Sequence, residues 1–171
     1  YYYENSLTGV IAGGLVGQNG MFGEINQPGT ISNSSASNVT VTVGDGCSGD
    51  CDGGFNSAGG LVGSNVAGST ITGSSATGIV SGGEASFVGG LVGQNGIFGY
   101  STASISSSFA NVAASISGLF SAVGGLVGSN AEGSTITDSQ AIGSVTSFAN
   151  GTGNQDFTDY RVILNYAVPL L

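Results

Sequence analysis

Gly13-Gly14-Leu15-Val16-Gly17-Gln18-Asn19 is the first of four copies of one pattern. Gly-Gly-Leu-Val-Gly returns at Gly59 to Gly63, Gly89 to Gly93 and Gly124 to Gly128, followed each time by Gln or Ser and then Asn. The copies start 46, 30 and 35 residues apart. Self-similarity at such a period marks a stack of like units, none of which can bury its apolar face alone.

After each copy comes a Gly-rich turn, then Ile flanked by hydroxyl residues, then Ser, with Ala five residues after the Ile. The four versions are Thr30-Ile31-Ser32 to Ala36, Thr70-Ile71-Thr72 to Ala76, Ser104-Ile105-Ser106 to Ala110 and Thr135-Ile136-Thr137 to Ala141. A third, more variable stretch carries Val or Ala, as in Gly78-Ile79-Val80 and Gly143-Ser144-Val145. Short β-branched or alternating segments between Gly, Ser and Asn predict strands, and no helical periodicity competes with them. The expected fold is all-β: a β-solenoid (parallel β-helix) of four to five coils of three short strands, each strand pairing with its counterpart one coil on. At about 4.8 Å per coil the stack is a rod of roughly 20 to 25 Å.

The whole chain, 1–171, reads as a single solenoid domain. Residues 1–12 form a partial coil, 13–58, 59–88, 89–123 and 124–147 are repeat coils, and 148–171 is an apolar C-terminal strand segment. The coils alternate. The first and third share Gln-Asn-Gly, an apolar residue and Phe-Gly (Gln18 to Gly23, Gln94 to Gly99), whereas the second and fourth share Ser-Asn and Ser-Thr-Ile-Thr. This points to duplication of a two-coil module, with an insertion around Gly44 to Gly54.

Composition narrows the function classes. Ten carboxylates face a single cation, Arg161, for a net charge of −9, and His and Trp are absent. Nucleic acid is excluded as a partner, because phosphate binding needs Lys and Arg to displace counterions. No transmembrane segment is expected: Gly, Ser and Asn interrupt every apolar run well short of the roughly 18 residues a spanning helix requires. The chain does not open with Met or a signal-like sequence, and reads as processed or as part of a longer product.

These repeats resemble the GLUG-motif family, short Gly-Gly-Leu-Val-Gly-x-Asn units followed by an Ile-x-x-Ser-x-Ala-type strand. The resemblance spans about Asn5 to Val145 and implies a secreted or cell-surface module, structural or adhesive, with no catalytic residues attached. The segment after Ser147 departs from the pattern.

Candidate sites follow from the stacking. Asn19, Asn65, Asn95 and Asn130 occupy equivalent positions and are read as a structural hydrogen-bonded ladder. Leu and Val are adjacent in each copy, so alternation sends Leu to the core and leaves Val16, Val62, Val92 and Val127 as an outward apolar stripe suited to assembly. The Thr/Ser flanks of each Ile give two outward hydroxyl columns, read mainly as a solvated strand face; ice binding ranks well below that reading. Cys47 and Cys51 are read as a disulfide, within the chain or to a neighbour, since a zinc site would need more ligands than the sequence offers. Asp45, Asp50 and Asp52 lack the spacing of a calcium loop, so no metal and no cofactor is expected. Asn33, Asn38 and Asn150 head Asn-x-Ser/Thr acceptor patterns for glycosylation.

Catalysis is not expected. Without His or Lys no Ser has an evident base, and the scattered carboxylates show no repeated pairing. Both ends of the chain, with Tyr1, Tyr2 and Tyr3 at one and Val162, Ile163 and Leu164 at the other, read as edges built to meet a partner. The function expected is an extracellular structural protein that self-assembles by β-strand pairing and an apolar face into a filament, sheath or surface layer. The alternative is a repeat module of a large cell-surface adhesin binding glycan or a host protein.

Overall fold

The computed structural model describes residues 9–46 and 55–147. These form strands only, wound into four stacked coils. The first coil contributes β1 (Ile11–Gly13), β2 (Val16–Asn19), β3 (Thr30–Ser32) and β4 (Ser35–Val43). The second contributes β5 (Asn56–Gly59), β6 (Val62–Asn65), β7 (Thr70–Thr72) and β8 (Ser75–Gly82). The third contributes β9 (Ser86–Gly89), β10 (Val92–Asn95), β11 (Ser104–Ser106) and β12 (Phe109–Ile116). The fourth contributes β13 (Ala122–Gly124), β14 (Val127–Asn130), β15 (Thr135–Thr137), β16 (Gln140–Ala141) and β17 (Val145–Ser147).

Every strand pairs in parallel with its counterpart in the next coil, giving four sheets along the stack. The register sets like on like: Val16, Val62, Val92 and Val127 align, as do Ile31, Ile71, Ile105 and Ile136. The β-solenoid expected from the repeats is the fold observed, with four strands per coil in place of three, the last of them split into β16 and β17 in the fourth coil.

The extra strand arises where a predicted continuous segment bends. Between the third and fourth strands of each coil lie Asn33, Gly73, Ser107 and Asp138, all at positive φ of 47° to 58°. Three of these carry a side chain in the left-handed region, which costs about 1 kcal/mol or more each. The following residue is always Ser, and its hydroxyl offsets that cost. Ser34, Ser74, Ser108 and Ser139 donate Oγ–H to the carbonyl two residues back at 2.8 to 2.9 Å. Their Oγ atoms also link the coils: the N–H groups of Ser34, Ser74 and Ser108 donate to Ser74, Ser108 and Ser139 Oγ at 3.1 to 3.2 Å. The same device turns the chain at Ala85-Ser86 and Phe120-Ser121, where Ser86 N–H donates to Ser121 Oγ at 3.1 Å.

The Gly-Gly-Leu-Val-Gly stretch is a tight arch between the first two strands of each coil. Its glycines let the two arms touch backbone to backbone: a Cβ on Gly59 would collide with the Val62 carbonyl, and one on Gly63 would lie 2.7 Å from Gly17 O and Ile11 Cγ2. At the bend one carbonyl takes two successive amides, as where Leu61 and Val62 N–H both donate to Leu91 O at 2.9 and 3.0 Å. Leu therefore sits on the bend rather than within a strand, and strict alternation does not apply between it and Val.

That geometry overturns the outward valine stripe. Val62 and Val92 are fully buried, Val127 is 2% exposed, and Leu61, Leu91 and Leu126 are buried beside them. Val16, in the outermost coil, is half-buried against the same core. The core is a set of columns along the axis, adding Ala36, Ala76 and Ala110 and Val41, Val80 and Ala114 to the Ile, Leu and Val columns.

Gly59→Ala is expected to destabilise the fold by about 3 kcal/mol, since the arch has no room for a methyl group. Gly23→Ala, with nothing within 4 Å of the added carbon, should stay within about 0.5 kcal/mol of the parent. Urea unfolding of the two variants makes the comparison.

Candidate functional site: an asparagine spine and a corner groove

The second and third strands of each coil meet at a corner, and Asn19, Asn65, Asn95 and Asn130 close the strands leading into it. Their amides form one continuous chain of hydrogen bonds. Asn19 Nδ2 donates to Asn65 Oδ1 at 2.8 Å, Asn65 to Asn95 at 2.9 Å and Asn95 to Asn130 at 2.8 Å. The second N–H of each buried amide reaches corner carbonyls, Ser69 O and Ser104 O in the case of Asn65. An amide suits this position because it both donates and accepts, so every member satisfies its neighbours on either side.

The spine is polar in direction. Among the described residues nothing donates to Asn19 Oδ1, and Asn130 Nδ2 makes a single bond, to Ser134 O at 3.2 Å. Among the described residues the stack thus has an acceptor without a donor at one edge, on Asn19, which is 6% exposed, and a donor with one N–H unused at the other. Leu15 marks the first edge as well: it is 49% exposed, while the equivalent Leu61 and Leu91 are fully buried.

The same corner carries the most uneven part of the surface. In the first coil it is spanned by a small hairpin closed by Met21 and Gln27, whose backbones exchange hydrogen bonds of 2.8 and 2.9 Å. In the third coil Ile97 and Ser101 close another at 2.8 and 2.9 Å. The second and fourth coils turn the corner in a few residues, with Ser69 N–H and Ser134 N–H donating to Val66 O and Ala131 O at 3.0 Å. The two hairpins stand over the short turn between them, and Phe22 and Tyr100 meet edge to face at 6.0 Å. Beside that contact lies an open groove of about 530 Å³, lined by Asn26, Ala67, Gly68, Ile97, Tyr100 and Glu132 among others. Tyr100 in its lining is 68% exposed, and Met21, Ile25 and Phe98 elsewhere on the two hairpins are 53% to 74% exposed.

The hydroxyl columns lie on the third sheet as expected from strand alternation. Thr30, Thr70, Ser104 and Thr135 align in one column, and Ser32, Thr72, Ser106 and Thr137 in the other. Some neighbours bond along the column, Thr72 to Ser106 at 3.1 Å. Asn33 and Asn38 are exposed, at φ of 47° and 54°. Asp45 caps a loop by accepting Glu84 N–H at 3.0 Å, and among the described residues no group of three His, Cys, Asp or Glu could hold a metal. Cys47, Cys51, Tyr1, Tyr2, Tyr3, Asn150, Val162, Ile163 and Leu164 lie outside the described residues, as do Asp50, Asp52 and Arg161. Reading the sequence coil by coil missed the serine ladder and the groove. The Ser after each Ile segment and the longer turns of the first and third coils were the available signals.

Replacing Asn65 by Ala removes the acceptor of one Asn19 N–H and the donor to Asn95 Oδ1 inside the stack, with an expected cost of about 2 to 4 kcal/mol. Asn65→Asp should be pH-dependent. Only the protonated carboxyl can donate to Asn95 Oδ1, so its folded pKa is raised and its stability, greatest below about pH 4, is lost as the pH rises. Thermal melts of both variants across pH measure this.

The model of the GLUG motif matches residues 8–42 and 121–146. No match was found among curated proteins or among solved structures. Among the described residues no helix is long and apolar enough to cross a membrane. The matched segments fall in the first and last coils, and the two coils between them pair with these in register. The chain carries repeats of the GLUG motif.

Proposed function

We propose that the chain is an extracellular structural protein whose coils associate end to end, the fourth coil of one copy pairing with the first coil of the next, to build a filament or layer. The observation that carries this reading is the asparagine spine, whose acceptor at Asn19 and second donor at Asn130 have no partner among the described residues. Complementary edges are what continued stacking requires: Asn130 Nδ2 of one copy meets Asn19 Oδ1 of the next, and Leu15 gains the cover that Leu61 has. The alternation of coils agrees, since a fourth-to-first junction brings together the same two coil types as the second-to-third junction inside the chain. Lateral packing through the valines is not part of the proposal, because those side chains are spent on the core. The extracellular setting rests on the resemblance to secreted GLUG-repeat proteins and on the reading of Cys47 and Cys51 as a disulfide.

A second reading, a repeat module of a longer adhesin that binds glycan or another cell-surface protein, is favoured by the corner groove with its exposed rings. The edges that would pair copies would then receive further coils of one chain.

Negative-stain microscopy and sedimentation of the purified chain, with and without reductant, test the first reading. Filaments or sheets are expected for the parent and their loss for Leu15→Lys, which places a charge on the uncovered edge without touching a buried side chain. Monodisperse short rods from the parent in both conditions would sink end-to-end assembly.

A further inference from the structure

The corner groove brings an exposed aromatic ring, Tyr100, together with the polar side chains of Asn26 and Glu132. Tyr100 is 68% exposed and Phe98 74%, on a hairpin closed by the Ile97–Ser101 pairing and by Tyr100 N–H donating to Ile97 O at 2.9 Å. Large rings held out in water on an ordered loop mark a contact surface more often than they serve the fold. Polar groups stand at both ends of the groove, the Asn26 amide from the first coil and the Glu132 carboxylate from the fourth. Three coil steps separate them, about 14 Å along the axis.

We propose that this groove binds a neutral oligosaccharide lying along the solenoid axis, with a sugar ring stacked on Tyr100 and its hydroxyls bonded to Asn26 and Glu132. Three features select this ligand. The negative face of an aromatic ring attracts the polarised C–H face of a pyranose, and an exposed Tyr offers that face together with a polar tip. Amide and carboxylate at the ends accept and donate to hydroxyls without demanding a charged partner. No cation stands among the described residues, the chain carries −9, and Glu132 lines the groove, so anionic glycans are repelled. A peptide added as a strand is disfavoured because the floor is already bonded: Gly68 N–H donates to Thr102 O at 2.7 Å and Ala67 N–H to Ser101 Oγ at 3.3 Å.

The inference gives the second reading above its site and is independent of end-to-end assembly, since the groove lies on the side of the stack. The test is calorimetric titration of the full chain, kept unassembled by Leu15→Lys where needed, with cello-, chito- and manno-oligosaccharides and with a heparin-derived oligosaccharide. At least one neutral series is expected to bind. Tyr100→Ala should weaken it by about tenfold and Tyr100→Phe should leave it nearly intact, with circular dichroism confirming the fold of each. Binding of no neutral series, binding of the heparin fragment alone, or affinity unchanged in Tyr100→Ala would each overturn the proposal. Displacement of a bound neutral sugar by an apolar peptide at the same ring would move the site to a protein partner and overturn it too. Filament formation is read separately, so absence of filaments with sugar binding intact rejects only the assembly reading.

Discussion

Parallel stacking in register imposes one constraint on every position of a coil: the residue must be compatible with a copy of its own kind about 4.8 Å above and below. Ile, Val and Leu meet it by dispersion and burial, and the aligned columns of Ile71 with Ile105 and Val62 with Val92 are the result. Asn meets it because its amide is donor and acceptor at once, as in the bonds from Asn19 through Asn130. Ser meets it at the corners, where one hydroxyl accepts from the coil before and donates to its own chain. A column of like charges fails, because neighbours at this spacing repel with nothing between them. The scarcity of charge, 6% of the chain, follows from the architecture and says nothing by itself about function.

The repeat made the solenoid and the asparagine spine legible, since a residue that recurs at one position in every coil must stack on itself. What the sequence concealed was where each coil bends. Strand alternation assigned Val16, Val62, Val92 and Val127 to the outside because it treated Gly-Gly-Leu-Val-Gly as one straight segment. The glycines there permit an arch, and an arch changes the facing of two consecutive residues at once. The corner after Thr72 was hidden for a related reason. Asn33, Gly73 and Asp138 are types that tolerate the left-handed conformation found there, but Ser107 is not, so the signal is uneven along the column; the constant feature is the Ser that follows and its bonds to another coil.

The groove was hidden differently. Each of its walls is unremarkable in one coil, a Gln-Asn-Gly-x-Phe-Gly turn of ordinary length for a loop. It becomes a concave surface only because long turns of the first and third coils bracket the short turn of the second, which brings Phe22 into contact with Tyr100 beside it. Uniform coils would have stacked their turns into a flat wall. Departure from strict repetition is thus what creates a surface with distinct chemistry, while strict repetition supplies the rigid floor beneath it.

The direction of the spine bears on the kind of assembly such a chain can form. Every Asn amide donates toward the fourth coil and accepts from the side of the first, so the two edges are unlike. Joining two copies first coil to first coil would set acceptor against acceptor at Asn19, and fourth to fourth would set donor against donor at Asn130. Either arrangement would also make the new strand pairs antiparallel, against the parallel pairing of every named strand within the coil stack. The favourable junction is heterologous, donor edge to acceptor edge, and a heterologous contact that adds one coil step with a small rotation does not close on itself. A directional hydrogen-bonded spine in a parallel stack therefore favours open growth over closed dimers, whether the next coil comes from another copy or from the same chain.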